Sequence, residues 1–372
     1  MKKRRGILRR IGSALILLIL LAVSVLLIVH RDRLSIDYLR RTWNYRHLGT
    51  EQQTDVFHFS NYTNNTFALL GDGVAVASVG GLEVYDRAGR LQYNAVFSMQ
   101  QPMIQTGGGR VLAYDLGGTA LHIGSRWESL RHDDWDGAII DARLNENGWL
   151  VVSAEQAGTR GVATVINPDG GHVFRVRIGT GYLLGAALAA DNRTLAVLSM
   201  TNAGGRVAWY AIDSPAGDPF AYYRRDEEIL FEFAFTDRTG NVMAISDSGL
   251  LFLSTAGELM QEYRFPYEYL QAFVLNGADA ALYLTRYPLS DSGRLILLSD
   301  SADTQSIDLQ GELFDIARNG RYTAVLFLDR ILLFRNAAEY AVWEGIGGTT
   351  LAIRDDGALL RLSPDRAELL LP

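Results

Sequence analysis

No cysteine occurs anywhere in the 372 residues. This excludes a disulfide framework, a thiolate metal or iron–sulfur site, a thiol nucleophile and a cysteine for lipid attachment. Stability therefore rests on packing, and the absence of a stray thiol suits an oxidising exterior. Catalytic signatures are missing too: there is no GxSxG elbow, no P-loop and no GxGxxG following a strand. The triplet Gly107-Gly108-Gly109 falls in a hairpin turn without phosphate-binding context. The six histidines, His30, His47, His58, His122, His132 and His172, have no ligand spacing, so no metal site is expected. Proline is scarce at 8, while 37 glycines and 48% hydrophobic residues describe a folded, turn-rich chain.

Charge is divided unevenly. Residues 1–50 hold 11 Lys and Arg against only Asp32 and Asp37, whereas the remainder holds 24 Arg against 40 acidic residues. An acidic body of this kind is repelled by phosphate backbones, which argues against a nucleic-acid partner.

From Ile11 to Val29 the chain carries no charge over 19 residues. At about 1.5 Å per helical residue this matches the roughly 30 Å hydrocarbon core of a bilayer, so 11–29 is expected to be a transmembrane helix. Lys2, Lys3, Arg4, Arg5, Arg9 and Arg10 precede it, against Arg31, Arg33, Arg40 and Arg41 after it. That bias places a cytoplasmic tail at 1–10 and the body of the chain outside. The apolar run ends at His30-Arg31-Asp32 without a small-x-small cleavage site, so the span reads as a retained anchor. Residues 30–54 then form a juxtamembrane stalk, with Ser35 capping a short helix over Ile36–Tyr45 and Trp43 and Tyr45 placed for the headgroup zone.

Beyond residue 50 there is no long 3.6-residue periodicity. Short alternating or β-branched runs are separated by Gly, Asn and Asp turns, the pattern of an all-β chain. One two-strand unit recurs, as in FALLGDGVAVASV from Phe67, with further copies from Met103, Asp141, Ala186, Phe233, Ala272, Asp315 and Leu351, spaced 36 to 47 residues apart. That interval is one four-stranded propeller blade. A second hairpin recurs beside it, starting at Leu82, Val165 and Leu253. The expectation is a β-propeller over 55–372 with eight four-stranded blades, or seven with a decorated closure. Val56–Ser60 would complete the blade begun by the C-terminal residues 349–372.

The hairpins, such as that around Tyr85-Asp86-Arg87-Ala88-Gly89-Arg90, resemble those of WD40-like and quinoprotein-like propellers. The whole layout resembles a bacterial family of single-span, membrane-anchored propellers of unknown function, which implies an extracytoplasmic domain and carries no site residues with it. The Gly-His and Trp-Asp signatures of WD40 repeats are absent. The turn Asp237-Arg238-Thr239-Gly240 occurs once without the tryptophan of quinoprotein repeats, so no quinone or other cofactor is expected.

Asp133, Asp134 and Asp136, and likewise Asp355 and Asp356, could offer oxygens to a cation, but turn chemistry explains them without one. No catalytic residue is assigned. The aromatic and arginine residues are more informative. Asp133, Asp134, Trp135, Asp136, Tyr182, Tyr223, Arg225, Tyr267, Tyr269, Arg286 and Tyr287 map to blade-to-blade connections or second-to-third-strand loops, which share one face of a propeller. Tyr, Trp and Arg are the types enriched at binding hot spots, although the tyrosines also suit packing over blade rims. The expected function is a membrane-tethered binding, sensing or scaffold module for envelope proteins, peptides or glycans. The alternative is a carbohydrate- or cell-wall-active enzyme using carboxylates in the axial funnel.

Overall fold

The computed structural model describes residues 37, 40, 41, 43, 45, 56–60, 62 and 64–372, apart from 215–216, 266–267, 289, 300–303 and 346–347. The tail and the 11–29 span lie outside these residues. Among the described residues no helix is long and apolar enough to cross a membrane.

The described strands form eight four-stranded antiparallel sheets, seven of them simple meanders in chain order. These are blades 1 to 7, over 66–96, 102–134, 139–177, 182–226, 230–264, 269–310 and 313–344. In each blade the two middle strands are buried on both faces and read as apolar runs, as in Gly73–Ser78 and Val162–Ile166. The outermost strands, such as Ala221–Asp226, instead alternate between exposed and half-buried. All eight copies of the recurring unit are first-to-second-strand hairpins, and Leu82, Val165 and Leu253 begin third-to-fourth-strand hairpins.

Eight apolar clusters cement the ring, each lying between successive blades. Val151, Val165, Leu195 and Val197 join blades 3 and 4, and Tyr322, Leu326, Leu351 and Leu359 join blades 7 and 8. The last cluster, with Phe57, Phe59, Val74, Val76, Leu360 and Leu369, joins blade 8 to blade 1, so the stack is closed. No blade leaves a broad apolar face in water, which explains why such units occur in rings.

Blade 8 is built from both ends of the domain. Its strands Thr350–Ile353, Leu359–Leu362 and Arg366–Leu370 are completed by Val56–His58, which pairs antiparallel through Val56↔Glu368, Phe57↔Ala367 and His58↔Arg366. Arg354–Gly357 is its first turn, bridged by Gly357 N donating to Arg354 O at 2.9 Å. The closing strand also sits tightly on blade 1. A Cβ on Gly89 would lie 2.1 Å from Phe57 Cβ, and the φ of +72° there favours glycine independently.

Each innermost strand starts on one face of the ring, termed here the entry face, which also carries the second-to-third-strand turns. The opposite turn face carries the first-to-second and third-to-fourth turns. Residues N-terminal to the ring pack against this turn face. Asp37, Arg40, Arg41 and Trp43 are helical, and Tyr45 N donates to Arg41 O at 2.8 Å. Asp37 accepts from Tyr322 Oη at 2.7 Å and pairs with Arg321 at 3.3 Å, while Arg41 donates to Tyr340 Oη at 2.7 Å. Arg354 donates to Tyr45 Oη at 2.8 Å, and Arg87 lies 5.3 Å over the Tyr45 ring. This strap therefore touches blades 7, 8 and 1. Tyr45 is 4% exposed and belongs to the closing cluster, which corrects its expected place at a headgroup zone. Its ring gains more from the apolar seam, where its hydroxyl also finds a guanidinium, than from an interface.

Candidate functional site

Five innermost strands break register with their neighbour at the same place, near their start on the entry face: at 139/141, 183/185, 230/232, 270/272 and 313/315. A bulge of this kind leaves one residue out of the ladder and bends the strand. The skipped residues are Ile140, Leu184, Phe231, Gln271 and Phe314.

The starts of the innermost strands also carry an apolar collar, to which the bulges contribute Phe231 and Phe314. Met103, Tyr182, Phe231, Tyr269 and Phe314 each occupy the first or second position of an innermost strand, and all are between 37 and 60% exposed. No described innermost strand exposes a large apolar side chain at its turn-face end. The collar, drawn from blades 2, 4, 5, 6 and 7, therefore lies on the entry face only. Phe231 contacts Phe273 of the next blade, with ring centroids 5.8 Å apart.

Below the collar, polar groups tie blades together near the axis. Arg143 of blade 3 donates to Asp141 at 2.7 Å and then reaches past blade 4 to blade 5, where it bonds Glu232 Oε1 at 2.6 Å and Phe233 O at 2.9 Å. Gly185 opens the route, since a Cβ there would lie 2.7 Å from Asp141 Oδ2 and 3.3 Å from an Arg143 nitrogen. Burial opposes the charge on Arg143, but Asp141 and Glu232 outweigh it and hold the guanidinium firmly protonated. Burial raises Asp141 above the ordinary carboxylate range even against Arg143. Asp315 of blade 7, also raised by burial, accepts from Thr350 Oγ1 at 2.6 Å and Leu351 N at 2.8 Å. These carboxylates are occupied in holding blades to one another.

The residues expected from the sequence separate into groups. Asp133, Asp134, Trp135 and Asp136 line one cavity of about 260 Å³ between blades 2 and 3, together with Glu155, His172 and Arg175. Trp135 stacks on His172, with centroids 5.9 Å apart and planes 14° from parallel, and Arg131 pairs with Asp133. Trp135 and Asp136 lie in the blade connection, but Asp133 and Asp134 end the outermost strand Ser129–Asp134. Tyr182 and Tyr269 belong to the collar, with Arg160 5.5 Å over the Tyr182 ring. Arg286 and Tyr287 lie in the second-to-third-strand turn of blade 6, as expected, and both are exposed. Tyr267 lies outside the described residues.

Tyr223 and Arg225 correct the sequence expectation. They sit in the outermost strand Ala221–Asp226, not in a loop, because the run alternates its side chains across a blade edge. Tyr223 packs half-buried against the cluster between blades 4 and 5. Arg225 is engaged by Glu262 at 2.7 Å and Glu228 at 3.0 Å. The collar residues Met103, Phe231 and Phe314 escaped the sequence reading. For Phe231 and Phe314 the available signal was the doubled apolar start before an acidic residue, in Leu230-Phe231-Glu232 and Leu313-Phe314-Asp315.

A closed eight-blade ring of separate four-stranded sheets with short edges is a β-propeller, and its solved counterparts include WD40 propellers. The C-terminal WD40 domain of Sif2 aligns with a TM-score of 0.61 at 13% identity, over 87% of this chain and 100% of that one. Saccharomyces cerevisiae Sqt1 aligns with a TM-score of 0.62 at 10% identity, over 85% of this chain and 98% of that one. The Dos1 propeller aligns at 0.60 and 9% identity, over 84% and 94%. At such identities the likeness is one of fold. No curated protein sequence matches the chain. The chain belongs to DUF5711, a family of unknown function, whose model matches residues 41–305.

Proposed function

We propose that this protein is a membrane-tethered, extracytoplasmic binding or scaffold module whose entry face engages envelope proteins, peptides or glycans. The observation that carries the reading is the collar: five different blades expose apolar side chains at the entry-face start of their innermost strands, and no described innermost strand does so at its other end. Apolar side chains gathered in this way mark interaction sites more often than singly scattered ones. The cavity around Trp135 adds a second aromatic feature beside the same face.

The tether is supported by the uncharged run 11–29 and its flanking basic residues. The strap supports an orientation. Since Asp37, Arg41 and Tyr45 pack on the turn face, a span just before them would direct that face to the bilayer and the collar away from it.

The absence of native cysteine makes the test clean, because an introduced thiol is unique. Tyr287→Cys on the entry face and Trp127→Cys on the opposite outer rim would each carry a photo-crosslinker in intact cells. Adducts confined to Tyr287→Cys are expected, together with labelling of both thiols by a membrane-impermeant maleimide. Equal adducts from the two positions would refute the binding face, and protection of both thiols until cells are opened would refute the location.

A further inference from the structure

We infer that the entry face recognises a cationic, apolar peptide segment, in which Lys or Arg residues flank aromatic or aliphatic side chains. This rests on the entry face being the binding face, and deepens it by naming the chemistry of the partner.

Two features converge. The collar of Met103, Tyr182, Phe231, Tyr269 and Phe314 offers apolar surface of the sort that aromatic or aliphatic side chains cover. Around it the charge is one-sided. Asp134, Asp136, Glu227, Asp247, Asp291 and Glu312 are exposed on the entry-face turns and strand ends, and none has an ion-pair partner among the described residues. The exposed guanidiniums in the same condition are Arg160, Arg177 and Arg286, and Arg160 is already stacked on Tyr182. The face thus presents an apolar mouth inside an acidic rim.

The floor sharpens the selection. Arg143 is engaged by Asp141, Glu232 and Phe233 O, so two carboxylates already neutralise that guanidinium below the collar. Attraction inside the mouth is then apolar, and the sign of the partner's charge is set by the rim carboxylates. An acidic segment of the same apolar content meets like charge on approach. A basic one is steered in.

The test uses the full-length chain in nanodiscs of zwitterionic lipid, with empty nanodiscs as the blank, and three short labelled peptides: alternating Lys and Phe, alternating Glu and Phe, and alternating Lys and Ser. Fluorescence anisotropy should show the Lys/Phe peptide binding about tenfold or more tightly than either comparator, and weakening as salt screens the rim. The pair Phe231→Ser and Phe314→Ser, both at exposed positions, should reduce that affinity by about tenfold with unchanged thermal unfolding. Asp134→Asn with Asp136→Asn provides an independent variant that weakens only the Lys-containing peptides. Equal binding of the Glu/Phe peptide, or unchanged Lys/Phe binding by the collar variant, would overturn the inference. Collar-dependent binding of the Glu/Phe peptide would do so while leaving the binding face intact, and that face answers to its own crosslinking comparison.

Discussion

Arg143 bridges carboxylates from two blades that are not neighbours in the ring, and the bridge has a sign that can be tested. Removing one partner of a buried ionic group strands the others. Arg143→Met should therefore destabilise the fold by about 3–5 kcal/mol in denaturant titrations, because Asp141 is left with weak compensation in a buried site. Asp141 is already held above the usual carboxylate range by burial. Part of the loss in the variant should therefore return as the pH falls and the stranded carboxyl takes a proton. His122 gives the opposite slope. It is buried between blades 1 and 2, with Tyr93 Oη 2.5 Å from Nε2 and Phe97 stacked at 5.0 Å, and burial, then the nearby His132, lowers its pKa to about 4 from 6.5. The unfolded chain binds this proton first, so stability is complete above pH 6.5 and is lost as pH falls toward about 4. His122→Phe should flatten that part of the stability profile, read as urea midpoints across the window; an unchanged slope would assign the effect to other groups.

At the level of the element, the strap is the most consequential piece outside the ring. Tyr45 fills the seam between blades 8 and 1 beside Phe57, Phe59 and Tyr85. Tyr45→Ala should cost about 3–5 kcal/mol, as for other large buried aromatics, and lower the thermal midpoint of the whole domain rather than melt one segment. Elements also differ in how legible they were. The first-to-second-strand hairpins announced themselves because Gly, Asn and Asp are needed at their turns, as at Asp191-Asn192 and Asp237 to Gly240, where Asp237 Oδ1 accepts from three backbone amides. The bulges did not, because an inserted Phe231 or Phe314 makes a strand look merely more apolar, which a blade's middle strands are anyway. The outermost strand of blade 4 was mistaken for loop because Tyr222 to Arg225 has the polar, aromatic composition of a connection. The strap's docking was hidden for another reason: Asp37 meets Tyr322 across 285 residues, and no local pattern encodes a contact of that separation.

For the whole molecule, the ring closes through a single strand drawn from the far end of the chain. Val56–His58 must wait for Arg366–Leu370, so the seam between blades 8 and 1 is the last to form during synthesis and the place where the circle is sewn rather than continuous. A tether at the N-terminus would hang directly from that seam. The strap changes how a pulling force is distributed. Tension arriving from the N-terminal side meets Asp37 on Arg321 and Tyr322, then Arg41 on Tyr340, then Tyr45 on Arg354, before it reaches the closing strand. Such a load would be spread over blades 7, 8 and 1, and the stitch that holds the ring shut would be relieved of it.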